Sequence, residues 1–262
     1  MPRLIVNADD FGRAPGVSRG IVEAHQRGIV TSTTMMVNLP WSEDAAGLAR
    51  STASLGVGLH LTFSYGPPVA PDVASLLGDD RRLLRNLHAL QTSARADDID
   101  REARAQFQRF IGLMGRLPTH LDSHQHVHTW PQSVEVIARL ASEHQIPVRA
   151  VNVDHRDLLR SHGVPTTLAF INEFYVPGSM TLEGLLRVLR SVPNRNLTEL
   201  MCHPGYDDPV LGDSSFRAQR EDEMRFLCSE DVREALLQTD IELVDYQMVH
   251  GRDGAVDDDF RC

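Results

Sequence analysis

Leu4-Ile5-Val6-Asn7-Ala8-Asp9-Asp10-Phe11-Gly12 is the stretch whose reading decides the fold. Its first three residues make a short, continuous apolar run, the mark of a strand buried on both faces. Such strands belong to parallel sheets covered by helices. The run ends in two adjacent carboxylates, Asp9 and Asp10, which are costly to bring together at a strand end. A helix N-cap accounts for one of them. It does not account for both, so the pair reads as functional. Pro15 then opens a helix expected to reach residue 28, with Val17, Ile21, Val22 and His25 on one face.

Outward from this stretch the same alternation recurs. Further strands are expected at 31–37, 55–62, 120–124, 147–151, 166–171, 197–202 and 241–244. Helices are expected at 41–50, from Asp97 or Asp98 as cap to about 116, from Pro131 onward, and at 155–162, 181–190, 214–227 and 229–238. Ile99, Ala103, Phe107, Phe110, Ile111 and Met114 give the long helix an apolar stripe that reads as core. Residues 63–80 read as a long loop, a common form of lid. Short apolar strands alternating with helices imply a parallel sheet with helical crossovers. About seven strands are near the number that closes a (β/α) barrel. The expectation is therefore an α/β fold, one catalytic domain over 1–250, and an acidic tail at 251–262 without a hydrophobic pattern, read as disordered.

Composition bounds the function. The chain has 262 residues, 42% hydrophobic and 24% charged, enough for one full core. Net charge is −10 with no basic cluster, which argues against nucleic acid and anionic membranes as partners. Three scattered cysteines, Cys202, Cys228 and Cys262, form no disulfide framework and fit a reduced cytosol. The first apolar run is too short for a signal peptide, and no run approaches the length of a membrane span, so a cytoplasmic location is expected.

The second stretch that carries chemistry is Pro118-Thr119-His120-Leu121-Asp122-Ser123-His124-Gln125-His126-Val127-His128, which holds four of the twelve histidines. Neutral imidazole is the commonest side-chain metal ligand, and Asp122 is placed to orient one ring. If 120–124 is extended, residues 120, 122 and 124 share a side; if a helix starts at 124, His124 and His128 stack at i, i+4. Gln125 rules out an HExxH zinc motif. Asp9 and Asp10, His60, His124 and His203 all fall at expected C-terminal strand ends, where parallel α/β folds gather their reacting groups. One Asp and two His with open positions describe a catalytic divalent metal site.

Four motifs, LIVNADDFG at 4–12, GLHL at 58–61, THLDSHQHVH at 119–128 and MCHPGY at 201–206, resemble the YdjC/ChbG family of carbohydrate deacetylases, in the family's order and over residues 3 to about 246. The resemblance implies a distorted (β/α) barrel, a divalent metal (Mg or Zn) and removal of acetyl groups from N-acetylated sugars, such as chitin-derived oligosaccharides in the cytosol. It matches Asp10, His60 and His124 to the metal ligands and Asp9 to the general base. Gln125 stands where some relatives carry histidine, and 63–95 is the segment that matches least.

On that basis Asp9 takes a proton from water, and His203, with an ordinary pKa of ~6.5, protonates the departing amine. Arg149 is a candidate to hold Asp9 ionised or else a surface residue. Tyr206 and Trp130 are candidates for sugar stacking or for packing. His126 and His128 are either further ligands or donors behind them. Cys202 reads as a buried strand residue. A homodimer is left open. The rival readings are another barrel metallohydrolase, such as an amidohydrolase or phosphoesterase, and a sugar-binding protein without catalysis. The first usually carries an HxH pair after strand one, where this chain has Asp9-Asp10. The second has no need of Asp9 and His203.

Overall fold

β1 (Arg3–Phe11) is the central strand, and its side chains alternate between two environments. Leu4, Val6 and Ala8 join the large core between sheet and helices, whereas Ile5 belongs to a second, smaller cluster. Asn7 and Asp9, on the same side as Ile5, are also buried. This is the period-2 pattern of a strand with both faces covered. A fully buried Leu or Val contributes roughly 1.5–3 kcal/mol, so the covered faces are what hold the strand.

The computed structural model describes residues 1–172, 181–192, 197–212, 214 and 216–249. The elements after β1 are α1 (Pro15–Arg27), β2 (Ser32–Met35), α2 (Ser42–Ser51), β3 (Gly56–Leu61), α3 (Leu87–Ser93), α4 (Ala96–Met114), β4 (Leu121–Ser123), α5 (Val134–His144), α6 (Val153–Ser161), β5 (Ala169–Ile171), α7 (Leu182–Ser191), β6 (Leu197–Cys202), α8 (Ala218–Leu227), α9 (Glu230–Leu237) and β7 (Glu242–Leu243). The sheet order is β4-β3-β2-β1-β6-β5, with β7 also on β1. Every pairing is parallel. The sheet curls into a half-barrel within a ring of helices, the distorted barrel that the sequence implied. No helix among the described residues is long and apolar enough to cross a membrane. The tail at 251–262 lies outside the described residues.

The wall between β4 and β5 is irregular. The strand expected at 147–151 is reduced to one parallel bridge, Leu121 to Val148. Arg149 N donates to Leu121 O at 3.0 Å and Val148 N to Pro165 O at 3.0 Å. Pro147 and Pro165 lack the N–H groups that a longer ladder needs. This short wall carries Arg149 into the barrel, where it is fully buried.

Two other expectations change. α4 starts at Ala96 with Arg95 as its cap residue, and neither Asp97 nor Asp98 caps it. Asp98 instead accepts Ser75 N at 2.8 Å, and buried Glu102 accepts Val69 N and Ala70 N. The long loop expected at 63–80 is fastened to α4 by these carboxylates, and α3 follows it. At the closed end of the barrel, Ile5, Leu197, Val244, Tyr246 and Val249 form the small cluster. The Tyr246 ring stacks on His120 at 3.6 Å. Gly58 makes room for that stack, since a Cβ there would sit 2.5 Å from His120 Nδ1.

Candidate active site

Adjacent strand residues normally point to opposite faces. Asp9 and Asp10 nevertheless line the same cleft of about 410 Å³. The cause is local. The β1–β2 register shifts between Ala8 and Phe11, and Asp10 takes a left-handed φ of 73°. Such a conformation is costly for a non-glycine residue and concentrates at functional sites. This bulge turns the second carboxylate back toward the first.

Asp10 Oδ1 lies 3.5 Å from His60 Nε2 and 3.2 Å from His124 Nδ1. Asp10 Oδ1 and His60 Nε2 are buried and make no hydrogen bond among the described residues. The Asp10, His60 and His124 ligand atoms lie within 4.8 Å of one another. One carboxylate oxygen and two imidazole nitrogens suit a divalent cation. His60 Nδ1 meets Asp122 Oδ1 at 2.8 Å, and Thr34 Oγ1 donates to Asp122 Oδ2 at 3.0 Å. A carboxylate behind the ring is the arrangement that fixes the tautomer of a ligating histidine. A second grouping, Asp9, His60 and Asp122, is equally tight. Its carboxylates are already engaged by Arg149, so the first set is the better cradle.

The two carboxylates sit in different fields. Arg149 grips Asp9 with both terminal nitrogens at 2.7 Å, and Asn7 Nδ2 adds a bond at 2.9 Å. Burial raises the Asp9 pKa, but the Arg149 guanidinium overrides it and holds the carboxyl below the usual carboxylate range. Arg149 is therefore no surface residue. Asp10 Oδ2 pairs with Arg13 Nη1 at 2.9 Å and with buried Arg220. These two guanidiniums outweigh burial and hold Asp10 well below its ordinary value. Burial lowers the His60 pKa and Asp122 more than restores it, so the net shift is upward. His124 is lowered by burial despite Asp10.

His203 follows β6, with Nε2 4.0 Å from Asp9 Oδ2. Its backbone N–H donates to buried Glu223 at 2.5 Å, and its ring meets the Phe216 edge at 5.3 Å. Burial pushes its pKa down to about 3. The ordinary value assumed for a resting general acid does not apply in this enclosure. α1 grips the loop that carries it: Tyr206 N donates to Gly16 O at 3.1 Å, and Gly16 N to Asp208 Oδ2 at 2.7 Å.

The histidine stretch follows the extended alternative through β4 and departs from it only afterwards. β4 ends at Ser123, and a kinked turn follows with left-handed Gln125 (φ 57°) and His126 (φ 54°). No helix stacks His124 on His128. His124 and His126 line the cleft. His128 turns away, with Nδ1 2.6 Å from Ser123 Oγ and Nε2 3.3 Å from Arg149 O. Neither His126 nor His128 belongs to a ligand grouping among the described residues. Tyr206 lies outside the cleft lining, its hydroxyl bonded to Glu23, and Trp130 packs on the main core. Neither ring is among the residues that line the cleft. Cys202 is buried, as expected.

Sequence reading missed Arg13, Arg220, Asn7, Thr34, Glu199 and Glu223. Arg13 stands three residues after Asp10 and carried a local signal. Arg220 comes from α8 and carried none.

The family model described as YdjC-like protein matches residues 3–238. The chain belongs to the YdjC-like family. This YdjC-like protein is 40% identical over 249 residues to a Brevibacillus brevis protein named carbohydrate deacetylase, covering 93% of this chain and 98% of the relative. It is 38% identical over 244 residues to a Salmonella paratyphi B chitooligosaccharide deacetylase, covering 90% and 94%. A crystal structure of an Enterococcus faecalis protein, described as a proposed cellobiose-phosphate cleavage protein, superposes with a TM-score of 0.88 at 32% identity, covering 94% and 98%. The Xyl-CE4 domain of a multidomain xylanase from a Trinervitermes trinervoides hindgut metagenome shares the fold alone, with a TM-score of 0.55 at 9% identity.

Proposed function

We propose that this YdjC-like protein is a metal-dependent deacetylase of N-acetylated sugars, acting on N-acetylglucosamine oligosaccharides such as diacetylchitobiose in the cytosol. The observation that carries the reading is a junction. An Asp–His–His cradle, in which buried Asp10 Oδ1 and His60 Nε2 make no hydrogen bond among the described residues, adjoins a carboxylate locked on a buried arginine. The names of the Brevibacillus and Salmonella relatives support the substrate class.

Asp10, His60 and His124 would hold the ion. A divalent metal there supplies Lewis acidity to the amide carbonyl and acidifies water. Asp9 accepts the proton of the attacking water at Oδ2, the oxygen nearest His203. Arg149 and Asn7 fix its oxygens, so the base does not reorient between turnovers. Oxygen attacks the acetyl carbon, the C–N bond breaks, and acetate and amine leave. The amine nitrogen must gain a proton as it departs. His203 rests neutral in its buried setting, so the proton it delivers is one taken up during turnover from the Asp9 side. Asp122 and Thr34 keep Nε2 of His60 turned toward the cradle.

The testing experiment incubates the metal-loaded protein with N-acetylated mono-, di- and oligosaccharides and with phosphate esters, measuring acetate, phosphate and bound sugar. Acetate without phosphate is expected. Phosphate release alone moves the site to a phosphoesterase, and saturable sugar binding without acetate makes it a binding protein.

A further inference from the structure

Below the cleft a chain of buried polar side chains runs through the barrel interior and ends at the Tyr246 hydroxyl. Arg149 is surrounded by three carboxylates: Asp9 above, Asp122 beside it, and Glu199 below. Glu199, on β6, is fully buried and accepts Arg149 Nε at 2.8 Å and Nη2 at 2.7 Å. Its other oxygen is held by the Tyr246 hydroxyl. Tyr246 lies on the turn Tyr246–Val249, beyond the 3–238 span of the family match.

We propose that Glu199 and Tyr246 are positioning residues for deacetylation: from the closed end of the barrel they fix the plane of Arg149, and thereby the base Asp9. The inference rests on the reading of Asp9 as base. The physical reason is directional. A guanidinium presents five donors in one rigid plane. Three carboxylates compete for them here. With Nε tied down to Glu199, the two terminal nitrogens point up as a fork and meet both oxygens of Asp9. Without that tie the guanidinium tilts toward Asp122, which already accepts Nη1 at 2.8 Å. Tyr246 performs the same service one step lower, donating to a carboxylate that burial alone disfavours. Its ring, clamped flat on His120, gives the hydroxyl a fixed origin.

The variants are Tyr246→Phe, which keeps the ring on His120 and removes only the hydroxyl, Glu199→Gln, and the double mutant. Asp9→Asn is the control for the base. Each is assayed for kcat and KM on diacetylchitobiose, for metal content and for Tm. Both single variants are expected to lose kcat, Glu199→Gln by roughly 10–100-fold as for other outer partners of a site, with KM and metal content unchanged. The double mutant is expected to lose no more than Glu199→Gln alone, since the two act in one chain. Wild-type kcat in both Tyr246→Phe and Glu199→Gln, with Asp9→Asn inactive, overturns the positioning role and leaves Tyr246 a packing residue. Additive losses, or losses in KM with kcat intact, overturn it as well. Full turnover in Asp9→Asn overturns the base reading and this inference with it.

Discussion

At the scale of single residues, two adjacent carboxylates are separated by what they face. Arg149 and Asn7 hold the oxygens of Asp9 in place, whereas Asp10 Oδ1 is buried and makes no hydrogen bond among the described residues. Asp9→Asn should therefore retain the metal and lose turnover by roughly 10²–10⁴-fold, the range for a general base. Asp10→Asn should lower metal content itself. Metal analysis of the two purified variants decides, and identical metal content counts against the division of roles. His203 offers a second test. An amide demands protonation of its leaving nitrogen, whereas a phenolic acetate ester has a far better leaving group. His203→Ala should cripple amide hydrolysis and spare the ester; equal losses would make His203 a binding or structural residue. Asp9, Asp10, His60, His124 and His203 could be picked out in the sequence because polar residues at the ends of apolar strands stand out. Glu199 and Arg220 could not. Each lies far in sequence from its partner, and nothing in a single chain signals a buried ion pair of that separation. The depressed His203 pKa was equally illegible, because burial is a property of the assembled cleft.

Elements set the accuracy of these contacts. α1 lies so close to the loop after β6 that a Cβ on Gly20 would come within 2.5 Å of Gly205 Cα. The obstacle is backbone, which cannot swing aside like a side chain. Gly20→Ala should thus displace the loop that bears His203, costing about 1–3 kcal/mol as overpacking does, and lower kcat along with it. Denaturant unfolding and steady-state rates check both; a variant as stable and active as wild type would mean that the helix–loop contact is slack. Most strands and helices were readable from apolar periodicity. The exceptions share a cause. The 147–151 wall is a bridge rather than a strand, the bulge at Asp10 breaks strand alternation, and the turn after Ser123 takes left-handed residues. Each is a place where tertiary contacts outweigh the local pattern, and each delivers a side chain into the barrel or its cleft.

For the molecule as a whole, burying neutral histidines ties stability to pH. Burial pushes His155 down to about 4, against an unfolded value of ~6.5. As pH falls below the unfolded value, the unfolded chain takes up this proton first. The contribution is complete above ~6.5 and is lost as pH falls toward the folded value. His155→Gln should shrink the drop in Tm between about pH 7.5 and pH 5 relative to wild type; an unchanged drop would show that His155 is not held neutral by the fold. The same enclosure carries the chain of polar contacts from Tyr246 through Glu199 and Arg149 to Asp9, beside the proposed metal cradle. The most direct measurement strips the protein with a chelator and follows acetate release from diacetylchitobiose as a divalent metal is titrated back. Release should be absent in the stripped protein and rise with bound metal to a plateau at a single ion per chain, while the Asp10→Asn variant stays flat at the same metal concentrations. Acetate release that survives complete metal removal, or that never appears at any metal loading, would contradict a metal-dependent deacetylase centred on Asp10, His60 and His124.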